Sequence, residues 1–388
     1  MGIRFILYWG VRYAGFFLLC CALDAAGPAR FAEHTIATGL KGGYQVVIAD
    51  LNHDGKPDVI ALASGMAELV WYENPTWERH VIAGGFSRMI NCAAWDVDGD
   101  GIPVIALASG FANEAKNSAG IVSVLRHDGD PRRLWKVTEI DRLTTSHRLR
   151  WANIYGNGKK VLVNAPLTGA HAEAPEYRDH TPLVFYRPGE WKRELIGDQN
   201  EGVVHGIYPV DWDGDGRDAI LTASFVGIDL YRFGKDGRWS RREIAKGDPA
   251  AWPKGGSSDV TVGRVGGERY LAAIEPWHGN QVAVYRMKDR AWERQVIDDS
   301  LVDGHTIWTA DLNGDGNDEI VAGFRGGKHS VFVYYAAGDE WSKQVLDDGG
   351  IAAAACAVAD LNGDGRSDVA CIGSATANLK WYENLGPK

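Results

Sequence analysis

The sequence predicts an all-β fold, a seven-bladed β-propeller with four-stranded blades. Gly accounts for 48 of the 388 residues and Trp for 15, and few runs suit long helices. Such a composition is typical of short strands joined by tight turns. A motif that recurs seven times, with four short apolar or aromatic segments in each copy, indicates one propeller blade per copy.

The repeat is clearest where it carries Asp. DLNHDGKPDVIALASG at Asp50 returns in altered form at Asp96, Asp211, Asp311 and Asp360. Degenerate copies, NIYGNGKKVLVNAP and RVGGERYLAAIEP, begin at positions 153 and 264, so neighbouring copies start 46 to 58 residues apart. Spacings of this size are those of propeller blades and related repeat arrays, and they predict a single domain over residues 30–388.

Each copy has the same order of segments. One strand precedes the Asp loop, a second follows it, a third carries aromatics as in LVWYEN, and a fourth begins at Trp as in TWERHVIAG. The last copy stops at LKWYENLGPK and lacks the fourth strand, whereas residues 31–39 (FAEHTIATG) match it. We expect the N-terminal strand to complete the seventh blade and close the ring, because closure removes an exposed sheet edge.

The N-terminal residues 1–29 predict a signal peptide. Arg4 and Arg12 precede or flank a short apolar run at 14–23, and small residues follow at 25–29. We therefore expect export to the periplasm or the extracellular space, with no stable membrane span after cleavage; an uncleaved anchor is the alternative. The net charge of −10 argues against a nucleic-acid partner.

Three cysteines remain after the predicted signal peptide: Cys92, Cys356 and Cys371. The number is odd and small, so we expect no disulfide framework. Cys92 and Cys356 lie in apolar runs before a repeat Asp, and the prediction is that both are buried thiols.

The Asp loops resemble calcium sites in their spacing. The pattern D-x-[DN]-x-D-G-x-x-[DE] places oxygen ligands at alternate positions, with Gly allowing the tight turn. Turns held by their own Asx hydrogen bonds are the alternative. The candidate structural Ca²⁺ ligands are Asp50, Asn52, Asp54 and Asp58; Asp96, Asp98 and Asp100; Asp211, Asp213 and Asp215; Asp311, Asn313, Asp315 and Glu319; and Asp360, Asn362, Asp364 and Asp368.

The histidines predict a second site, on the opposite face. Six residues before each repeat start, at the beginning of the innermost strand, stand Tyr44, Ile90, His147, His205, Ser258, His305 and Ala354. Residues near these positions and in the loops on the same face are predicted to bind substrate: His171, His180, Asp259, Glu275, Trp277, His278 and Arg325. Loops of several blades meet over the channel, and this polar set suits a sugar or another hydroxylated ligand.

Two kinds of chemistry fit this cluster. His147, His205 and His305 could share a divalent metal such as Zn²⁺ or Mn²⁺, or they could divide proton transfer between them. Arg148 or the metal would stabilise an enolate, and Tyr44 would be the acid that protonates the leaving group. This combination predicts β-elimination or dehydration of a carbonyl-bearing sugar.

The motifs also carry a resemblance. The Asp-loop blades with WYEN strands resemble FG-GAP/VCBS-repeat propellers. SHRLRWAN (146–153), residues 164–186, GVVHGIYPVDWDGDG (202–216) and DGHTIWTADLNGDG (303–316) are similar to the propeller domain of aldos-2-ulose dehydratase and 1,5-anhydro-fructose dehydratase. The resemblance implies metal-assisted elimination of water from keto-sugars, and ulvan-type polysaccharide lyases share a similar propeller. The cupin domains of the fungal dehydratase have no counterpart in this sequence, so the resemblance does not extend to isomerisation.

Three hypotheses for function follow. The leading one is an exported, metal-assisted carbon–oxygen lyase acting on a keto-sugar, a keto-glycoside or a uronate-containing glycan. The alternatives are a non-catalytic propeller that binds carbohydrate or protein, and a metal-dependent sugar hydrolase or epimerase. His at three equivalent repeat positions favours an enzyme, because adhesion alone does not require it.

The calcium hypothesis predicts that a strong chelator lowers the melting temperature and that added Ca²⁺ restores it, since a ligand bound only by the folded state stabilises that state. Asp311→Ala or Asp360→Ala should lower the melting temperature while leaving activity per folded molecule intact. Thermal unfolding with and without chelator measures the effect. An unchanged melting temperature in chelator would leave the loops as simple turns.

Overall fold

The computed structural model describes residues 27–387 and confirms the seven-bladed propeller. Every blade is a four-stranded antiparallel sheet, and the described residues contain one 3₁₀ turn, Ala115–Asn117. No helix among residues 27–387 has the length and hydropathy needed to span a membrane.

The strands are numbered in chain order. Blades 1 to 3 contain β2 (Gly43–Ala49), β3 (Asp58–Ala63), β4 (Leu69–Glu73) and β5 (Glu78–Ala83); β6 (Asn91–Trp95), β7 (Val104–Ser109), β8 (Ile121–Arg126) and β9 (Lys136–Arg142); and β10 (Ser146–Ala152), β11 (Val161–Pro166), β12 (His180–Tyr186) and β13 (Arg193–Glu201). Blades 4 and 5 contain β14 (Val204–Asp211), β15 (Asp218–Ser224), β16 (Gly227–Phe233) and β17 (Trp239–Ala245); and β18 (Asp259–Val265), β19 (Glu268–Glu275), β20 (Gln281–Lys288) and β21 (Ala291–Asp298). Blades 6 and 7 contain β22 (Gly304–Ala310), β23 (Glu319–Phe324), β24 (Ser330–Ala337) and β25 (Glu340–Asp348); and β26 (Ala353–Ala359), β27 (Asp368–Gly373), β28 (Asn378–Pro387) and β1 (Ala29–Thr38).

Burial follows the position of a strand in its blade. The second strands β3 and β7 are buried at every residue, because both of their faces pack against neighbouring blades. The outer strand β9 is exposed or half-buried at all of its positions. The hydrophobic core is therefore a set of layers between adjacent blades, as where Leu221 and Ala223 of blade 4 pack with Leu271 and Ala273 of blade 5.

The N-terminal strand closes the ring, as predicted. β1 pairs antiparallel with β28, and the sheet order is β1-β28-β27-β26. The His34 ring stacks on Trp381 with ring centroids 4.6 Å apart. Residues 1–26 of the predicted signal peptide lie outside the described residues, and Ala29, its last predicted residue, is the first residue of β1.

The cysteine prediction is wrong at one position. Cys356 is not a thiol but forms a disulfide with Cys371, its direct cross-strand partner between β26 and β27. The odd number of cysteines did not indicate this pair, because the pairing of Cys356 with Cys371 depends on the register of β26 and β27, which cannot be read from the sequence. Cys92 is a buried free thiol, as predicted.

The predicted calcium ligands divide into two sets. In the loop, Asp50 accepts hydrogen bonds from the backbone N–H groups of Asp54 and Gly55, as an Asx turn does. At the ninth position, the buried Asp58 accepts from the N–H groups of Leu51 and Asn74 at 2.9 Å each. Asp368 and Glu319 likewise accept from backbone N–H groups, so these acids connect the loop to the sheet. Calcium binding by the loops stays a prediction.

The asparagine of the WYEN segments joins neighbouring blades. The Asn74 side chain donates to Leu361 O in blade 7 at 2.6 Å and to Pro57 O at 2.9 Å. Asn384 makes the same pair of bonds to Leu312 O in blade 6 and to Ser367 O. The repeat motif therefore contains contacts between blades that its sequence pattern alone did not reveal.

Tyrosine side chains make further connections between blades. The hydroxyl of a third-strand Tyr donates to an Asp on the outer strand of the preceding blade, beside a cation. The three sets are Tyr186, Asp141 and Arg193; Tyr334, Asp298 and Lys343; and Tyr382, Asp347 and Lys380.

Deleting residues 31–39 should expose the edge of β28 and promote aggregation, because an unpaired strand edge is a template for association. A chain that begins at Gly27 is the matched control. Light scattering and thermal unfolding measure the effect. A monomeric truncated chain as stable as the control would show that ring closure by β1 is dispensable.

Asn74→Ala should lower the free energy of unfolding by about 1–3 kcal/mol, since it leaves two carbonyls without donors in a mostly buried place. Asn280→Ala, which removes one exposed bond to Asp299 O, is the control and should change stability by less than about 0.5 kcal/mol. Denaturant unfolding of both variants measures the difference. Equal effects would contradict a role for Asn74 in holding blades 1 and 7 together.

Candidate functional site

The innermost strands bring four side chains to one mouth of the channel. His147 of β10, His205 of β14 and His305 of β22 stand at equivalent positions, and Tyr44 of β2 joins them. His278, from the loop between β19 and β20, completes the group. The rings of His205, His278 and His305 lie 4.9 to 5.1 Å apart, centroid to centroid.

Hydrogen bonds assign the tautomers of two of these histidines, His205 and His305. His205 Nδ1 lies 3.1 Å from Ser258 O, and His305 Nδ1 is hydrogen-bonded to Ala354 O. A carbonyl oxygen only accepts, so both Nδ1 atoms carry the proton. His278 Nδ1 lies 3.1 Å from Asp303 Oδ1. The Nε2 atoms of His205 and His305 are thereby left without a proton, which is the form that binds metal, and His278 Nε2 has the same form when its Nδ1 donates to Asp303.

The geometry favours a metal set that differs by one residue from the predicted one. One ligand atom from each of His205, His278 and His305 lies within 4.8 Å of the others. The sequence predicted His147 in place of His278. His278 Nε2 and His205 Nε2 are 3.2 Å apart. This contact is a hydrogen bond when His278 Nε2 carries the proton, and it places two lone pairs face to face, as two ligands of one cation would be, when His278 Nδ1 carries it.

His147 has a different set of partners. Its Nε2 lies 3.0 Å from the Tyr44 hydroxyl. The Arg148 guanidinium approaches His147 Nε2 and His205 Nε2 at 3.4 Å each. His147 Nδ1 and His305 Nε2 are buried with no hydrogen-bond partner among the described residues. Such orphaned atoms cost about 1–3 kcal/mol unless a ligand satisfies them.

All four histidines are neutral at neutral pH. Burial holds the pKa of His147, His205 and His305 well below its usual range, and the nearby charge of Arg148 or Arg325 lowers it further. Burial also lowers the pKa of His278, although the hydrogen bond that Asp303 accepts from it opposes this shift. Neutral imidazole is the form required of a metal ligand and of a general base.

A cleft of about 240 Å³ opens above the cluster. Its wall is mixed, with apolar and aromatic side chains beside polar ones: Tyr44, Ile90, Phe111, Asn113, His147, Leu167, His205, Trp277, His278 and Arg325. The Trp277 indole N–H is buried without a partner among the described residues. A larger cleft of about 660 Å³ lies on the Asp-loop face between blades 2 and 3. It contains the ion pair of Arg126 with Asp98, and none of the clustered histidines lines it.

Below the cluster the channel is also charged. Asp259 lies there with Arg148 and Arg150, so it is part of the channel wall rather than of the cleft. Burial raises the pKa of Asp259, and the two arginines oppose the shift. Burial lowers the pKa of Arg150 to about 10.

Besides Asp259, three of the predicted substrate-binding residues do not line the cleft. His171 and His180 are exposed on the long insertion of blade 3. Glu275 is fully buried, and its carboxylate binds Ser257, Tyr285 and Arg294 instead. Trp277, His278 and Arg325 lie in the cleft wall.

Sequence reasoning missed Asp303, Phe111 and the acceptor role of Ser258 O. Asp303 stands two residues before His305 in DGHT, which was the available signal. Phe111 stands where the equivalent loop of blade 1 has Met66, so the repeat gave no signal of an aromatic cleft wall, and a backbone carbonyl leaves no mark in a sequence.

Comparison with known proteins bears on the resemblance that the motifs predicted. The family described as "Aldos-2-ulose dehydratase, beta-propeller domain" matches residues 119–289, and the FG-GAP-like repeat matches residues 50–107 and 311–371. The chain resembles the aldos-2-ulose dehydratase propeller. Aldos-2-ulose dehydratase of Phanerodontia chrysosporium is 29% identical over 237 residues, which are 53% of this chain and 26% of that protein. The match thus spans about a quarter of the relative's length, and the predicted resemblance is confirmed.

A solved structure supports the fold alone. A lectin of Agrocybe aegerita that recognises non-reducing terminal N-acetylglucosamine superposes with a TM-score of 0.55 at 16% identity. The superposition covers 89% of this chain and 86% of the lectin.

Proposed function

We propose that the protein is a metal-assisted carbon–oxygen lyase that eliminates water or an alcohol from a keto-sugar, a keto-glycoside or a uronate-containing glycan. One observation carries the proposal: ring nitrogens of His205, His278 and His305 converge beside a separate Tyr44–His147 pair and Arg148. Elimination next to a carbonyl needs a base, an acid and a positive charge, and this site contains a candidate for each.

His205, His278 and His305 would hold the divalent metal, for which Zn²⁺ or Mn²⁺ are suitable ions, and their Nδ1 partners support that role. When bound, such an ion supplies positive charge that stabilises an enolate oxygen.

His147 and Tyr44 divide the proton transfers. His147 is neutral and lines the cleft, so it can take the proton from the carbon next to the carbonyl. Tyr44 gives its proton to the departing oxygen, which leaves as water or as an alcohol while the carbon–carbon double bond forms. The 3.0 Å contact between the two side chains then lets the proton return from His147 to Tyr44. Arg148 adds a fixed positive charge beside both His147 and His205.

A sugar fits the lining of the cleft. Phe111 and Trp277 offer aromatic surfaces, and Asn113, Arg325 and the unpartnered Trp277 N–H offer polar groups for hydroxyls. The similarity to a sugar dehydratase supports this substrate class, and the carbohydrate specificity of the lectin with the same fold is consistent with it.

The disulfide supports export. Structural disulfides are typical of oxidising compartments, and Cys356–Cys371 joins the two inner strands of blade 7. We therefore propose that the mature protein is located in the periplasm or outside the cell.

Ultraviolet absorbance near the enone band, recorded with a panel of keto-sugars and uronate glycans, tests the activity. His147→Gln and Tyr44→Phe should reduce the rate roughly 10²–10⁴-fold with metal content unchanged, because each removes a proton-transfer group. His205→Ala should lose the metal as well, which elemental analysis detects.

His53→Asn, on an exposed loop of the opposite face, is the control and should keep the parental rate. Sugar binding without any absorbance change across the panel would favour the non-catalytic alternative. Release of a reducing sugar without an enone would favour a hydrolase.

A further inference from the structure

His278 is held differently from the other two candidate metal ligands. His205 and His305 stand on strands, and the carbonyls that accept from their Nδ1 atoms belong to the next blade around the ring. His278 stands on a loop and has a carboxylate, Asp303 Oδ1, in that place. Its backbone N–H donates to Ser258 Oγ at 3.2 Å, which fixes the loop but leaves the ring free to choose a tautomer.

Both residues of this pair have backbones in the left-handed region. The φ angle of His278 is +50° and that of Asp303 is +59°. Non-glycine residues in this region cost free energy and persist where the surrounding structure enforces them. Here the result is that two side chains from different blades face each other beside the cleft.

Arg325 gives His278 Nδ1 a second possible hydrogen-bond partner besides Asp303. Its guanidinium binds both carboxylate oxygens of Asp303, at 3.0 and 3.1 Å. The Nη2 atom of Arg325 also lies 3.2 Å from His278 Nδ1. Nδ1 can therefore donate to Asp303 when it carries a proton, or accept from Arg325 when it does not. Only the first tautomer leaves Nε2 without a proton.

We propose that Asp303 is a positioning residue that keeps the proton of His278 on Nδ1 and thereby presents Nε2 to the metal held with His205 and His305. This inference rests on the metal site of the proposed function. By the same reasoning Arg325 opposes metal binding by His278, because a cation that donates to Nδ1 favours the tautomer with the proton on Nε2 and repels a nearby metal ion.

The charge of Asp303 suits this role. Arg325 binds both of its oxygens, so the carboxylate that faces His278 Nδ1 has a cationic partner of its own. A carboxylate behind an imidazole also raises the basicity of the metal-binding nitrogen.

The experiment measures Zn²⁺ affinity of the full chain by competition with a chromophoric chelator at neutral pH. Asp303→Ala should weaken binding about 10- to 100-fold, the usual effect of losing such a partner, and Asp303→Asn, which keeps an acceptor but no charge, should weaken it less. Asp339→Ala, at a fully exposed carboxylate, is the control and should bind as the parent does. Melting temperatures of the zinc-free variants establish that each one folds.

Arg325→Met separates this role from a merely structural one. If Asp303 positions His278, zinc binding should be retained or become tighter, since the competing donor is gone. If the Asp303–Arg325 ion pair only braces the two loops, Arg325→Met should weaken binding as much as Asp303→Asn does, and the proposal is overturned.

Two further results are decisive. If the His205→Ala variant loses zinc but the Asp303→Ala variant binds it with parental affinity, the role of Asp303 is refuted and the metal site itself is not. Zinc binding that depends on Asp303 without elimination on any substrate would support the positioning role and refute the proposed activity instead. Absence of zinc binding by the parent chain would overturn both.

Discussion

Closure of the ring is the constraint on which the site depends. β1 pairs with β28, and only a closed circle of seven blades brings the inner strands of blades 1, 3, 4 and 6 around one channel. His147, His205 and His305 are far apart in sequence, yet the ring of His205 lies 4.9 Å from that of His147 and 5.1 Å from that of His305. No local segment creates this contact. The chemistry at the channel mouth is therefore linked to the global stability of the propeller.

Burial at the channel mouth has two consequences that act together. It removes water from the imidazoles, which keeps them neutral, and it places the positive charge of Arg148 beside two of them. The same low polarity makes the orphaned nitrogens of His147 and His305 costly in the absence of a ligand. A site with these properties stabilises an added cation or a developing negative charge more strongly than a solvated cluster of the same residues would.

The repeat made the strand residues predictable, whereas the loops and pairings were not. Counting from the repeat start located Tyr44, His147 and His305 at one mouth, because equivalent strand positions are related by the propeller axis. His278 was predicted on the right face but without its place in the metal set, since a loop has no repeat register. Glu275 points into the blade because Ser257, Tyr285 and Arg294 bind it, which only the three-dimensional structure reveals.

The repeat position that carries the histidines also explains why they differ in role. In blade 5 this position is Ser258 and in blade 7 it is Ala354, and the carbonyls of these residues accept from the Nδ1 atoms of His205 and His305 in the preceding blades. Each of these histidines is thus oriented by the next residue of the same ring. For His147 the next residue is His205, and its Nδ1 has no such acceptor. Its tautomer is not fixed by the backbone, so it can exchange a proton with Tyr44 while its neighbours keep theirs. In the proposed mechanism, the order of residues around one ring of equivalent positions thereby separates the group that would move protons from the groups that would hold the metal.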